Sequence, residues 1–172
     1  MTVRSRIVAA LALALGLAGT LLVSAELSRN MISVVVYSDF ESAQKSKARE
    51  WIPAFVPPTA VDIHEVHDLD TNMRWGFFRI GRESWDAGGQ PLPLDGCRLH
   101  IDTPRIDGWP LPDRSVACCA DLRSDGWEVA SIRDPGASGP ASTDFMIATN
   151  RDAGLAVYWP QSASRVEAAA CP

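Results

Sequence analysis

The sequence predicts an α+β domain in which a small antiparallel sheet of hairpins packs with one main helix. Two observations predict it. Short runs of β-branched and aromatic residues occur in pairs around clusters of Asp, Asn and Gly, the pattern of antiparallel hairpins. One other stretch, residues 40–51, carries good helix formers behind a capping residue and stops at a proline.

Taken in order, residues 31–37 (Met-Ile-Ser-Val-Val-Val-Tyr) are short and β-branched, the composition of a buried strand. Asp39 is placed to cap the helix that follows, with Phe40, Ala43, Ala48 and Trp51 at mixed three- and four-residue steps. Pro53 ends that helix, and the apolar connector Trp51-Ile-Pro-Ala-Phe-Val-Pro-Pro58 neither continues it nor joins a sheet interior, because its prolines lack donors. Residues 60–67 and 73–80 are the arms of a first hairpin around Asp68-Leu-Asp-Thr-Asn72, where Asp and Asn bond their own backbone and tolerate left-handed dihedrals.

Residues 84–114 are rich in Gly and Pro and are expected as a long structured loop, with residues 98–102 a short strand candidate inside it. Residues 116–122 and 127–132 predict a second hairpin, and residues 134–142 a surface loop. Residues 145–149 and 155–159, around Asn150-Arg-Asp-Ala-Gly154, predict a third hairpin. The Ala-rich stretch after Gln161 is expected to be loosely ordered. No internal repeat of fixed period organises the chain.

The N-terminus bounds the location. Arg4 and Arg6 precede an uncharged run over residues 7–25, which closes on Val23-Ser-Ala25 before Glu26. A basic start, an apolar run and a small-x-small site form the order of a secretory signal, so residues 1–25 are expected to be a signal peptide or a membrane anchor. Small residues at the site favour cleavage after Ala25, whereas the length of the run favours an uncleaved span. Residues 26–165 are then one domain, with residues 166–172 as a tail. The chain is expected to be exported, either periplasmic or anchored in the inner membrane with the domain outside the cytoplasm.

Composition narrows the partners. The chain has a formal net charge of −5, and its exported part, without Arg4 and Arg6, carries −7. Nucleic acid is therefore not an expected partner, and the membrane is met only through an uncleaved N-terminal segment. The four cysteines, Cys97, Cys118, Cys119 and Cys171, lie where an oxidising compartment preserves disulfides. A bond between the neighbours Cys118 and Cys119 needs a distorted backbone. Pairing of Cys97 with one of those two is favoured, with Cys171 bonded to the other or free. The cysteines lack the paired C-x₂₋₄-C spacing of structural zinc sites.

Each chemistry-bearing motif has a plainer reading beside it. His64-Glu-Val-His67-Asp68 falls one residue short of the H-E-x-x-H zinc motif, and on a strand His64 and His67 point to opposite faces. His64 and Asp68 share a face and are the remaining weak metal candidates. Asp68, Asp70 and Asn72 match the first three ligands of a calcium loop, but Met73 stands where glycine is needed and Arg79 where the bidentate glutamate belongs. Ser42-Ala-Gln-Lys45 lacks the companion motifs of penicillin-recognising enzymes, and Gly136-Ala-Ser-Gly139 is followed by Pro140 rather than completing a nucleophile elbow. Of six tryptophans, Trp85 and Trp109 lie in the proline-rich loops and are the candidates for a binding surface.

The run Trp51-Ile-Pro-Ala-Phe-Val-Pro-Pro-Thr-Ala-Val-Asp-Ile-His-Glu-Val-His-Asp-Leu-Asp-Thr-Asn72 resembles a group of uncharacterised bacterial proteins with an N-terminal hydrophobic segment, and is similar to the YbbD head domain. The resemblance implies export and a small α+β domain, and it brings no catalytic residue or cofactor to carry over. The reading is a non-catalytic envelope protein with no cofactor, whose partner is another envelope protein or a polymer. One alternative is a small metal-dependent hydrolase using His64, His67 or His100 with Asp68 or Asp70, which requires two histidines to converge with a carboxylate. The other is an acidic immunity-type inhibitor of an envelope toxin, steered by its charge.

Overall fold

A computed structural model of the chain describes residues 31–81, 88–92, 97–104, 106–111, 117–134 and 144–168. The expected signal or anchor at residues 1–25, Trp85 and Cys171 lie outside them. Among the described residues, no helix is long and apolar enough to cross a membrane.

The α+β expectation is overturned. The described chain is nearly all β, with ten strands and only two six-residue α-helices, α1 (Phe40–Lys45) and α2 (Cys119–Ser124). The expected main helix over residues 40–51 breaks after its first turns. Asp39 caps it as anticipated, accepting from the Ser42 N–H while the Ser42 hydroxyl reaches back to the Asp39 N–H. At the other end Ser46 turns to extended backbone, its hydroxyl accepting from the Ala48 N–H and pairing with the Tyr37 hydroxyl. A serine that offers its own bonds to the backbone competes with helix continuation. Only Ala43 of α1 is buried, so a longer helix had no apolar stripe to cover, and a 3₁₀ turn over Arg49–Trp51 takes its place.

The larger sheet is antiparallel and seven-stranded, in the order β1-β2-β3-β9-β8-β7-β4. Its strands are β1 (Ile32–Asp39), β2 (Val61–Asp68), β3 (Met73–Arg79), β4 (Gln90–Pro91), β7 (Trp127–Arg133), β8 (Asp144–Asn150) and β9 (Leu155–Pro160). A second sheet has the order β10-β5-β6, from β5 (Cys97–Ile101), β6 (Ala117–Cys118) and β10 (Ser164–Ala168). The first and third hairpins stand where the turn residues put them. Asn72 takes a left-handed φ of 57°, and the Asp68 carboxylate accepts from the N–H groups of Asp70 and Thr71.

Two other expectations fail. Residues 119–124 form α2 where the arm of a second hairpin was expected, so β7 pairs with β8 and β4 instead. The stretch after Gln161, expected to be loose, supplies β10, which pairs along all five of its residues with β5.

The larger sheet is covered on both faces, which explains its near-continuous apolar central strands. Along β8 and β9, Phe145, Ile147, Ala156 and Tyr158 face α1 and the proline connector, together with Tyr37, Ile63, Phe78 and Val56. The alternate residues Met146, Ala148, Val157 and Trp159 face the smaller sheet and α2, against Leu99, Leu122 and the Cys97–Cys119 disulfide. The Trp75 indole N–H donates to the Asp102 carbonyl at 3.1 Å, linking the two layers. Strand β1 is an edge, not the buried strand its composition suggested: Val34 and Val36 are 59% and 57% exposed.

Candidate functional site

The connector that the prolines keep out of the sheet needs other partners for its polar backbone. Short turns within it satisfy Val56 and Ala60, which donate to the carbonyls of Pro53 and Pro57. The rest comes from the sheet beneath. Arg74 on β3 donates to the carbonyls of Trp51 and Glu50 at 3.2 and 3.4 Å, and its guanidinium lies 3.5 Å from the Asp134 carboxylate. Asp134, just past β7, accepts from the Ala54 N–H at 3.1 Å. Arg74 also lies over the Phe145 ring, 5.2 Å from its centroid. Phe55 packs edge-on to Phe145 and Tyr158 at 5.4 and 5.5 Å, and Trp51 packs edge-on to His67 at 4.5 Å. The connector is thus fixed to the sheet at Trp51 and Ala54 by one buried ion pair and at Trp51 and Phe55 by ring contacts.

Beneath this cover sits Glu65 of β2, fully buried. Tyr158 on β9 donates its hydroxyl to Glu65 Oε2, and Oε1 has no partner. Burial pushes the Glu65 carboxyl well above the usual carboxylate range, with the positive charge of Arg74 opposing the shift. The approach of Tyr158 to β2 is possible because the intervening β3 residue is Gly76, opposite Glu65: a Cβ there would overlap the Tyr158 hydroxyl and the His64 carbonyl. A carboxyl whose pKa is raised by burial has the character of a proton donor. Glu65 and Tyr158 are both 0% exposed, so this pair is placed to hold strands together and not to meet a substrate.

The histidines do not converge. His64 faces the smaller-sheet side of β2, stacked on Phe77 at 4.2 Å with Nε2 3.3 Å from Asp62. His67 faces the connector side, its Nε2 2.9 Å from Asn72 Oδ1, and burial lowers its pKa despite that bond. His100 lies on β5 in the other sheet, 3.3 Å from Glu167. Asp68 is occupied as the turn's acceptor and Asp70 is exposed in the same turn. Among the described residues, no group of three or more His, Cys, Asp or Glu side chains is arranged to hold a metal ion.

Trp109 is half-buried, packed against the core with its ring edge-on to Phe77 at 6.3 Å. Of the exposed large apolar side chains, Val166 lies on β10, and the rest cluster at Met31, Ile32, Val34 and Val36 along the β1 edge with Val61 and Leu69 nearby. Cys97 pairs with Cys119, and Cys118 is likewise disulfide-bonded.

Sequence reasoning missed Glu65, Arg74, Asp134 and Tyr158. A signal was present in the alternation of β3, which puts Arg74 and Gly76 on the same face as Phe78. A cation and a glycine on a core-facing stripe mark a buried polar partner and a close approach. No curated protein and no solved structure matches the chain, but its residues 32–79, from β1 through α1 and the connector to the end of β3, match the family model of the YbbD head domain.

Proposed function

We propose that this chain is a non-catalytic interaction module of the cell envelope, held outside the cytoplasm and binding another envelope protein or polymer. The observation that carries this reading is how the segment similar to the YbbD head domain uses its polar residues. Glu65, His67 and Arg74 are buried and turned inward, where they fix the segment's own connector or strands, and Asp68 closes the hairpin turn. The outward side of its first strand is uncharged and apolar. A segment whose buried polar groups serve its own rigidity and whose edge strand presents apolar surface is suited to contact with a partner rather than to acid–base chemistry. The basic start and apolar run of residues 1–25 and the disulfides support an exported location.

The test is cell fractionation followed by intact mass before and after reduction, with a metal assay on the same sample. The expected result is an envelope-fraction species, beginning at Met1 or Glu26, with two disulfides and no stoichiometric metal. Recovery in the cytosol with free thiols, or with one bound zinc per chain, would overturn the reading.

A further inference from the structure

Strand β1 forms one edge of the seven-stranded sheet, paired to β2 on one side and, among the described residues, to no strand on the other. Natural edge strands are blunted by lysines, prolines, bulges or short length, because an open ladder recruits other strands. β1 has none of these devices. It runs for eight residues, carries no charge before Asp39 and no proline, and keeps an unshifted register with β2 from Ile32 to Asp39. Its outward stripe, Ile32, Val34 and Val36, is 41%, 59% and 57% exposed.

We infer that β1 pairs with β1 of a second copy of this chain, antiparallel about Val35, so that two seven-stranded sheets join into one. The inference rests on reading the chain as an interaction module and names its partner. An uncharged edge whose own sequence is complementary to itself suits a second copy. Chains of net charge −5 repel one another, so a self-contact must fall where charge is absent, and residues 31–38 form such a window beside the open edge. In the register centred on Val35, Val34 stands opposite the copy's Val36 and Asp39 opposite the copy's Met31. No acid then meets its own image. Directly opposed residues share a face, so the two apolar stripes lie side by side and pack flank to flank across the seam. The contact is isologous and closes on itself, which limits assembly to two chains.

Eight residues a side span about 26 Å of strand. Such a contact buries on the order of 1,000 Å², near the lower limit of specific interfaces, so the dimer is expected to be concentration-dependent with a Kd of roughly 1–100 µM.

The experiment is sedimentation velocity of the full chain in mild detergent, from about 1 to 200 µM, on wild type and on V34K. Hydrogen exchange of residues 32–38 is read at both ends of the range. Wild type is expected to pass from one chain to two as concentration rises, with β1 amides slowing at least about tenfold in the dimer. V34K is expected to stay single throughout with unchanged circular dichroism and Tm, because the substituted side chain is exposed and the two lysine charges become diagonal neighbours only across the contact. A wild type that stays single at the highest concentration, a V34K chain that dimerises equally, or β1 amides protected at every concentration by the chain's own first thirty residues would each overturn the inference. A single-chain protein in the envelope fraction leaves the functional reading standing. A cytosolic protein that dimerises through β1 does the reverse.

Discussion

Replacing Asp134 with alanine tests whether the connector is held by a buried ion pair or merely by ring contacts. The Arg74 and Asp134 side chains are 9% and 3% exposed, so solvent does little to screen them or to replace a lost partner. D134A removes the acceptor of the Ala54 N–H and leaves the Arg74 guanidinium buried without its carboxylate. Breaking one side of a buried pair costs about 3–5 kcal/mol, and Arg74 keeps two carbonyls and the Phe145 ring, so the lower end, about 3 kcal/mol, is expected. R74M takes the cation from the same carboxylate and the donor from the two carbonyls, and is expected to cost a similar amount, about 3 kcal/mol. The double variant leaves no uncompensated charge, so its cost is expected to fall short of the sum by about 2 kcal/mol. Urea unfolding followed by tryptophan fluorescence gives all four stabilities. A D134A cost below about 1 kcal/mol, or additivity within about 0.5 kcal/mol, would refute the pair as the connector's fastening.

Three further outcomes are expected. The buried Glu65 carboxyl keeps its proton to higher pH than the unfolded chain, whose glutamate ionises near 4.5, so this group's contribution to stability is fully present below that pH and is lost as pH rises through the folded value. E65Q, which stays neutral and still accepts from Tyr158, is expected to gain on wild type progressively above pH 4.5 in thermal melts, and a constant difference across pH would sink the assignment. G76A should cost about 3 kcal/mol or more by overpacking against the Tyr158 hydroxyl and the His64 carbonyl; a Tm within about a degree of wild type would contradict the close approach. The Cys97–Cys119 bond spans a sequence separation of 22, so C97S/C119S is expected to lose about 3 kcal/mol, checked by chemical unfolding without reductant alongside a non-reducing peptide map.

The hairpins at 61–79 and 144–160 were legible because their turns carry local chemistry: Asp68 and Asn72 in one, Asn150 and Gly154 in the other. The helix over 40–51 was overread because propensity says nothing about whether a face will be covered, and here only Ala43 is. The edge position of β1 is likewise decided by strand order, which its own residues do not encode; Val34 and Val36 have the same composition in a buried strand and in an exposed one. The Arg74–Asp134 pair was out of reach because it joins residues 60 apart in sequence, and local patterning does not identify such a partner. The opposed directions of His64 and His67 were readable, since they follow from the two-residue period of a strand alone.

The seam between β3 and β9 has a consequence for how such a chain tolerates change. Strand β3 ends at Arg79 and β9 begins at Leu155 directly beside it, with the Ile80 N–H donating to the Gly154 carbonyl at 2.9 Å. The stretch between them, which contributes β4, β7 and β8 to the same sheet, thus begins and ends at one seam. Closing a longer or shorter excursion changes the entropy of the chain only slowly with length. The matched segment stops at this seam, so changes of length between Arg79 and Leu155 are best borne outside β4, β7 and β8, which complete the sheet and, through Asp134 just past β7, hold the connector over β3.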